Sequence, residues 1–406
     1  MNYISGNDSE KDKLLQRFIR YVKIWSESDG EKADQGVFPS TERQCDFAKV
    51  LVKELRNLGT RNVYLTDYCY VVAKIDSNIF DPEERAKYPT ILLMAHMDTV
   101  DEVTGENVKP VISMVSEKDS PTGEADTIVR SDGSTLLGAD DKAGVSAIMQ
   151  ALEYLMNHYE DIPHGPIEVM FSPDEETGHG MDKVPLNILK ANFAVTVDGG
   201  DIGQMETECF NAASCDITFT GKACHTGDAK KGGMINASIM ASNFISKLPR
   251  YMAPETTEGK EPFIATMEIK GGIEEAKVSL LLRAFESETI ENEKKIINDI
   301  CDEVTKTFGG KCDIQFATQY LNMKEKMDEH PEVVERLEKA FNMAGVEIVR
   351  NPIRGGTDGS RLTELGIPTP NIFTGAHDFH SRNEWLSLNQ CAKAADVIIN
   401  LLTLHD

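Results

Sequence analysis

Five short stretches of this chain set a histidine or a carboxylate directly after an apolar run or at the mouth of a helical pattern. His96 and Asp98 follow Ile91-Leu92-Leu93-Met94-Ala95; Asp140 and Asp141 precede a segment carrying Val145, Ile148, Met149, Leu152 and Leu155 at helical spacing. Asp174, Glu175 and Glu176 follow the run that ends at Phe171, Asp198 follows Val195-Thr196-Val197, and His377, Asp378 and His380 come shortly after Thr369–Phe373. Each has a plain reading on its own: a hydrogen-bonded pair at a strand end, a helix N-cap, a solvated acidic turn. Adjacent carboxylates leaving a buried strand repel one another unless protons or a cation relieve them.

Together, His96, Asp140, Glu176, Asp198 and His380 fit a pair of zinc-like divalent ions better than one tetrahedral site, since one carboxylate can bridge. Spacing leaves open whether Asp140 or Asp141 is that bridge. Two such ions about 3.5–4 Å apart polarise a carbonyl and provide a hydroxide at neutral pH. One carboxylate must stay unligated to move the proton to a leaving amine, and the doublet Glu175-Glu176 offers a base beside a ligand. Side chains alternate along a strand, so His96 and Asp98 leave it on the same side, and Asp98 is suited to orient the His96 ring.

The elements that must hold these groups read as α/β. Short apolar runs at Val63–Leu65, Cys69–Ile75, Ile91–Ala95, Ile167–Phe171 and Phe193–Val197 alternate with amphipathic helical stretches, which predicts a mostly parallel sheet covered by helices on both faces. Thr41-Glu42-Arg43-Gln44 has the form of a capping box opening one of those helices. Residues 99–137 are polar and turn-rich and read as loops and short extended pieces. From 211 to 321 the order becomes strand, helix, two strands, helix, strand, the βαββαβ grammar of a ferredoxin-like α+β sandwich. The expected organisation is a catalytic domain of residues 1–210 and 322–406, with 211–321 inserted as a lid that closes over substrate.

The chain has 406 residues, enough for two domains, with 42 basic against 67 acidic residues and net charge −25. That field repels phosphate backbones and anionic lipid, so neither nucleic acid nor a membrane is an expected partner. No apolar run approaches the length of a membrane span, and the N-terminus lacks an apolar signal core, which places the protein in the cytoplasm. Eight cysteines are scattered with no C-x-x-C pair, so reduced, mostly buried thiols are expected.

The motifs Ala95-His96-Met97-Asp98-Thr99, Leu136-Leu137-Gly138-Ala139-Asp140-Asp141-Lys142-Ala143-Gly144 and Pro173-Asp174-Glu175-Glu176 resemble those of the M20 family of dizinc peptidases. Pro39-Ser40-Thr41-Glu42, Thr196-Val197-Asp198-Gly199-Gly200, Asn211-Ala212-Ala213-Ser214, Pro352–Gly359 and Pro370–Gly375 extend the resemblance over nearly the whole chain, the last four of these being similar to the family's tripeptide-cleaving aminopeptidases. The resemblance implies two Zn2+ ions, one on His96, Asp198 and bridging Asp140, the other on Glu176, His380 and the same Asp140. It further implies Asp98 as the orienting residue, Glu175 as general base, and release of the N-terminal residue of tripeptides. In Lys222-Ala223-Cys224-His225-Thr226-Gly227 it implies that His225 steadies the tetrahedral oxyanion, although Thr226 stands where the family usually has proline. Arg283, Arg354 and Asn211 are candidates to hold a peptide C-terminal carboxylate. Short peptides are the expected partner, and a homodimer is compatible with this reading. The competing readings are another M20-type amidase or dipeptidase, and a metal-binding protein without catalysis.

Overall fold

Strands buried on both faces must be apolar throughout, and that is the pattern of the central strands here. In the computed structural model, which describes residues 1–405, the strands are β1 Asn62–Leu65, β2 Val71–Ile75, β3 Ile91–His96, β4 Val111–Val115, β5 Asp126–Arg130, β6 Ile167–Ser172, β7 Phe193–Gly199, β8 Met205–Glu206, β9 Asn211–Thr220, β10 Phe263–Gly271, β11 Glu275–Ala284, β12 Lys311–Tyr320, β13 Asn371–Phe373, β14 Ala376–His377 and β15 Trp385–Ser387. The chain divides into two compact units, residues 1–207 with 326–351 and 357–406, and residues 208–325 with 352–356.

In the first unit a seven-stranded sheet runs in the order β1-β2-β6-β3-β7-β13-β8. Its centre, β6-β3-β7-β13, is parallel, and the pairs β1-β2, β2-β6 and β13-β8 are antiparallel. Every residue of β3 and of β6 is buried. On one face Val72, Leu92, Met94, Met170 and Ala194 pack with Tyr70, Met181 and Leu362. The other face is covered by the helix Ala139–Asn157, itself lodged among β3, β7 and the helices Asp8–Val22 and Leu388–Thr403, which is why this helix is apolar nearly all round.

Residues 99–137 hold more structure than their polarity suggests. β4 and β5 join β15 and β14 in a second, antiparallel sheet ordered β14-β15-β5-β4. β4 escapes a sequence reading because four of its five residues are exposed, so no burial pattern marks it. The expected strand at 69–75 begins only at Val71, since Cys69 adopts φ 64°. Cys69 is bonded to Cys45 in a disulfide with Cα atoms 5.2 Å apart, which corrects the expectation of reduced cysteines throughout; a helix residue and a turn residue 24 positions apart leave no local spacing signal.

The second unit is a four-stranded antiparallel sheet, β10-β11-β9-β12, with the helices Ala237–Lys247 and Ser287–Phe308 on one face. The chain order is strand, helix, strand, strand, helix, strand. Alternate residues of β11 (Ala276, Val278, Leu280, Leu282, Ala284) are buried against those helices, as a sheet with one covered face requires. No described helix is long and apolar enough to cross a membrane.

Candidate active site

Parallel strands bring their C-terminal ends to one sheet edge, where the loops they feed converge. β3 and β6 end side by side, with His96 paired to Ser172, and β7 carries Asp198 at its own end. His96 Nε2 lies 3.0 Å from Asp140 Oδ1 and 3.4 Å from Asp198 Oδ1. His380 Nε2 lies 3.2 Å from Asp140 Oδ2 and 3.1 Å from Glu176 Oε2. The two oxygens of Asp140 therefore face one histidine each. Ligand-bearing atoms of His96, Asp140 and Glu176 fall within 4.8 Å of one another, and so do those of His96, Asp141 and Asp198.

Asp141 points differently from Asp140. Its Oδ1 accepts the N–H of Gly144, capping the helix, and its Oδ2 accepts the N–H of His96 at 3.2 Å. Gly144 is pressed so closely on β7 that a Cβ there would sit 1.8 Å from the carbonyl oxygen of Val197. The His96 ring turns its Nδ1 to the backbone carbonyl of Asp98 at 3.1 Å, with the Asp98 carboxylate at 3.5 Å. A ring whose Nδ1–H donates there presents the Nε2 lone pair toward Asp140 and Asp198. The fully buried Asp98 carboxylate also accepts the N–H groups of Glu175 and Glu176, each at 3.1 Å, so it fixes the acidic loop as well as the ring.

Several supports were invisible to sequence reasoning. Glu384, buried between His380 and β15, accepts the N–H groups of Leu137 (2.8 Å), Gly138 (2.6 Å) and Asp140 (2.9 Å). Asp174, at φ 56°, accepts from Ser40 N–H at 2.7 Å, from the Ser40 hydroxyl and from Gln44 Nε2 at 2.7 Å. Gln44 Oε1 in turn accepts the Asp174 N–H. The expected capping box at 41–44 is thus corrected: Thr41 makes no side-chain cap, because its hydroxyl donates to Glu27 and Gln44 is spent on the acidic loop. Asp358 accepts from the Ser172 hydroxyl, Tyr70 donates to the carbonyl of Gly180 at 2.6 Å, and Asn371 Oδ1 accepts the N–H of Asp198. Among these, the sequence marked Asp174 in the acidic run, Gln44 in the helix-cap pattern, and Ser40, Asp358 and Asn371 only as members of the quoted motifs.

The electrostatics ask for a cation. Burial, reinforced by Asp140, pushes Glu176 up to about 8, and burial lifts Asp198 to about 6 and Glu175 well above the usual carboxylate range. His380 is raised to about 11 by its bonds to Asp140 and Glu176. Burial works against a charged His96, yet Asp198 and Asp140 outweigh it and hold the ring well above its ordinary value. Asp140 is drawn down by the two histidines against its own burial. Glu176 Oε1 is buried without any hydrogen-bond partner. A cluster of imidazoles and carboxylates with no thiolate, and one carboxylate oxygen unsatisfied, fits hard to borderline divalent ions in the place of those shared protons.

Each of the second-unit candidates is engaged by neighbours within its own unit. His225 is exposed and accepts the N–H of Gly227 through Nδ1. Asn211 is buried: its Nδ2 donates to the carbonyls of Ala284 and Phe285 and its Oδ1 accepts the Asn322 N–H, so its amide is consumed by backbone. Arg354 donates to the carbonyls of Gly259 and Glu261 and to Thr257, between the rings of Phe210 and Phe263. Arg283 donates to the carbonyls of Ala213 and Leu282 and lies over Tyr320.

A sheet-edge cluster of histidines and carboxylates on an α/β scaffold is a candidate site for divalent metal ions, and the whole chain supports a statement of family. Residues 92–404 match peptidase family M20/M25/M40, and the protein belongs to that family. It is 41% identical to peptidase T of Clostridium perfringens over 97% of this chain and 99% of that protein, and 42% identical to peptidase T of Halothermothrix orenii over the same shares. Its fold matches a tripeptidase from Staphylococcus aureus with TM-score 0.78 at 24% identity (97% of this chain, 98% of the other). A dinuclear metal-binding M20 peptidase from Bacillus subtilis gives TM-score 0.67 at 13% identity, each chain covered to 98%. The protein is a peptidase of the hydrolase class, acting on peptides.

Proposed function

We propose that this protein is a zinc aminopeptidase that releases the N-terminal residue from tripeptides. The observation that carries the reading is Asp140, whose two carboxylate oxygens are each within hydrogen-bonding distance of a different histidine. His96, Asp198 and Asp140 would hold one ion, and Asp140, Glu176 and His380 the other. When bound, such a pair polarises a peptide carbonyl and lowers the pKa of water.

The chain's own groups do the rest. Glu175, beside ligand Glu176 and anchored through its N–H to Asp98, takes the proton from the attacking water and passes it to the leaving amine. Asp98 positions both the His96 ring and the Glu175-Glu176 backbone. The 41–42% identity to proteins named peptidase T supports the tripeptide specificity. The same proposal gives residues 211–321 the part of a lid and His225 that of the oxyanion donor, on the strength of the Lys222–Gly227 motif.

The test is hydrolysis of a panel of tripeptides, dipeptides and acyl-amino acids, read by mass spectrometry, with elemental analysis of bound metal. Tripeptides should lose their N-terminal residue fastest. Glu175→Gln should retain both ions and lose turnover by a factor of roughly 1,000 or more, and His225→Ala should lower kcat by about 100-fold with metal content unchanged. Intact tripeptides after incubation with the metal-loaded enzyme would sink the proposal.

A further inference from the structure

His96 and His380 face the same carboxylate, Asp140, from very different backbones. His96 ends a buried strand and its ring is bonded to the Asp98 carbonyl, whereas His380 lies in the loop between β14 and β15 with its side chain 48% exposed. Asp378 and His380 both adopt φ 56°, a left-handed conformation that costs any residue with a Cβ. Such backbone persists only where its surroundings over-determine it. The support here is an indole. Trp385 is 7% exposed, so its N–H needs an acceptor, and Nε1 donates to Asp378 Oδ2 at 3.1 Å. The ring is held in turn: β5, β15 and β14 set Arg130, Trp385 and His377 in one row across the sheet. The Arg130 guanidinium lies 5.1 Å from the ring centre, and the His377 imidazole stacks on it at 3.9 Å with 15° between planes. His377 is itself fixed by Asp201 at 2.8 Å and Gln390 at 3.0 Å.

We propose that Trp385 is a positioning residue for the peptidase reaction: through Asp378 it fixes the left-handed 378–380 turn and so sets the His380 imidazole against Asp140 and Glu176. The inference rests on the ligand set proposed above and adds to it what keeps an exposed, loop-borne ligand in register. The residue before Trp385 is Glu384, which accepts the N–H of Asp140 at 2.9 Å. Two consecutive residues therefore hold the two turns that meet where His380 faces Asp140. The indole bond to a carboxylate is charge-assisted, stronger than one between neutral groups. Its loss should free the turn and loosen the ion on Glu176 and His380, while His96, on its own strand, keeps the other ion in place.

The experiment compares three variants of the full-length protein. Trp385→Phe keeps an aromatic ring between Arg130 and His377 and deletes only the N–H, Asp378→Leu deletes the acceptor, and Asp378→Asn keeps an oxygen to receive it. In the metal-free protein, hydrogen–deuterium exchange of the amides of residues 377–382 should run about tenfold faster in Trp385→Phe and Asp378→Leu and close to wild type in Asp378→Asn. Zinc titrated against a competing chelator should show one of two ions held about 10–100-fold more weakly in the first two variants and the other ion unchanged, with kcat falling as the weaker ion is lost. Unchanged exchange in Trp385→Phe, Asp378→Asn as impaired as Asp378→Leu, or faster exchange with both zinc affinities at the wild-type level would each overturn the proposal. A wild-type protein that takes up no zinc would overturn the ligand set instead, and the exchange comparison, made without metal, would still decide whether Trp385 holds the turn.

Discussion

Replacing Glu384 by glutamine should loosen the metal pocket although Glu384 is no ligand in the proposed site. Its carboxylate holds three backbone N–H groups, those of Leu137 and Gly138 on Oε2 and that of Asp140 on Oε1. A glutamine has one carbonyl oxygen. Kept on the Leu137 and Gly138 side, it turns an NH2 group against the Asp140 N–H and orphans that buried donor. Losing one charge-assisted bond and leaving one buried N–H unpaired costs roughly 2–4 kcal/mol. The cost falls on the residue proposed to bridge both ions, so metal affinity should drop about 10–100-fold, the usual toll of removing a group that orients a ligand. Equilibrium dialysis against zinc buffers gives the affinity, and urea unfolding of the metal-free protein gives the stability. Glu384→Gln with wild-type zinc affinity and wild-type kcat would refute the idea that the 137–140 turn is held by this carboxylate.

Other expectations concern sites away from that turn. Glu293, fully buried with neither carboxylate oxygen partnered, is pushed up to about 9 by burial despite the pull of Arg283. Its folded-state value lies above the ordinary one, so its contribution is complete below about pH 4.5 and drains as the pH climbs toward 9, by at most about 4 kcal/mol at pH 7.5. Glu293→Gln should therefore show a flatter fall in urea midpoint between pH 5 and 8, and parallel curves for the two proteins would count against it. Opening the disulfide with Cys45→Ser and Cys69→Ser should cost about 3.5 kcal/mol by loop entropy. Those cysteines neighbour Gln44 and Tyr70, which hold the 174–180 loop, so kcat should fall with stability; unchanged kcat at full folding would separate the two.

The sequence revealed what burial forces into its pattern. β3, β6 and β7 were legible because a strand covered on both faces must be apolar, and the carboxylates and His96 at their ends stood out against that background. His380 is farther from its strand, and only its company with the others marked it. The contacts that turn these residues into a site were not legible. Glu384 meets Asp140 across 244 positions, a proximity set by the fold and not by any local spacing. Gln44 has the form of a helix cap and serves instead as a prop for Asp174. Asn211 lies in a motif shared with the family, yet its amide is taken up by the backbone of its own unit. β4 was unreadable for the opposite reason to β3, since a strand exposed on both sides has no face to mark.

The closeness of Gly144 to Val197 ties the calibration of the pocket to an atom that is missing. The helix that delivers Asp140 and the strand that delivers Asp198 can approach this far only because nothing projects from position 144. An alanine there would leave every metal ligand in the chain and still push the two banks of the pocket apart, and active sites tolerate about 1 Å of misplacement poorly. Inventories of ligands would score such a variant as intact. The gauge of this site is written in a residue with no side chain, and the chemistry depends on that blank as much as on the groups around it.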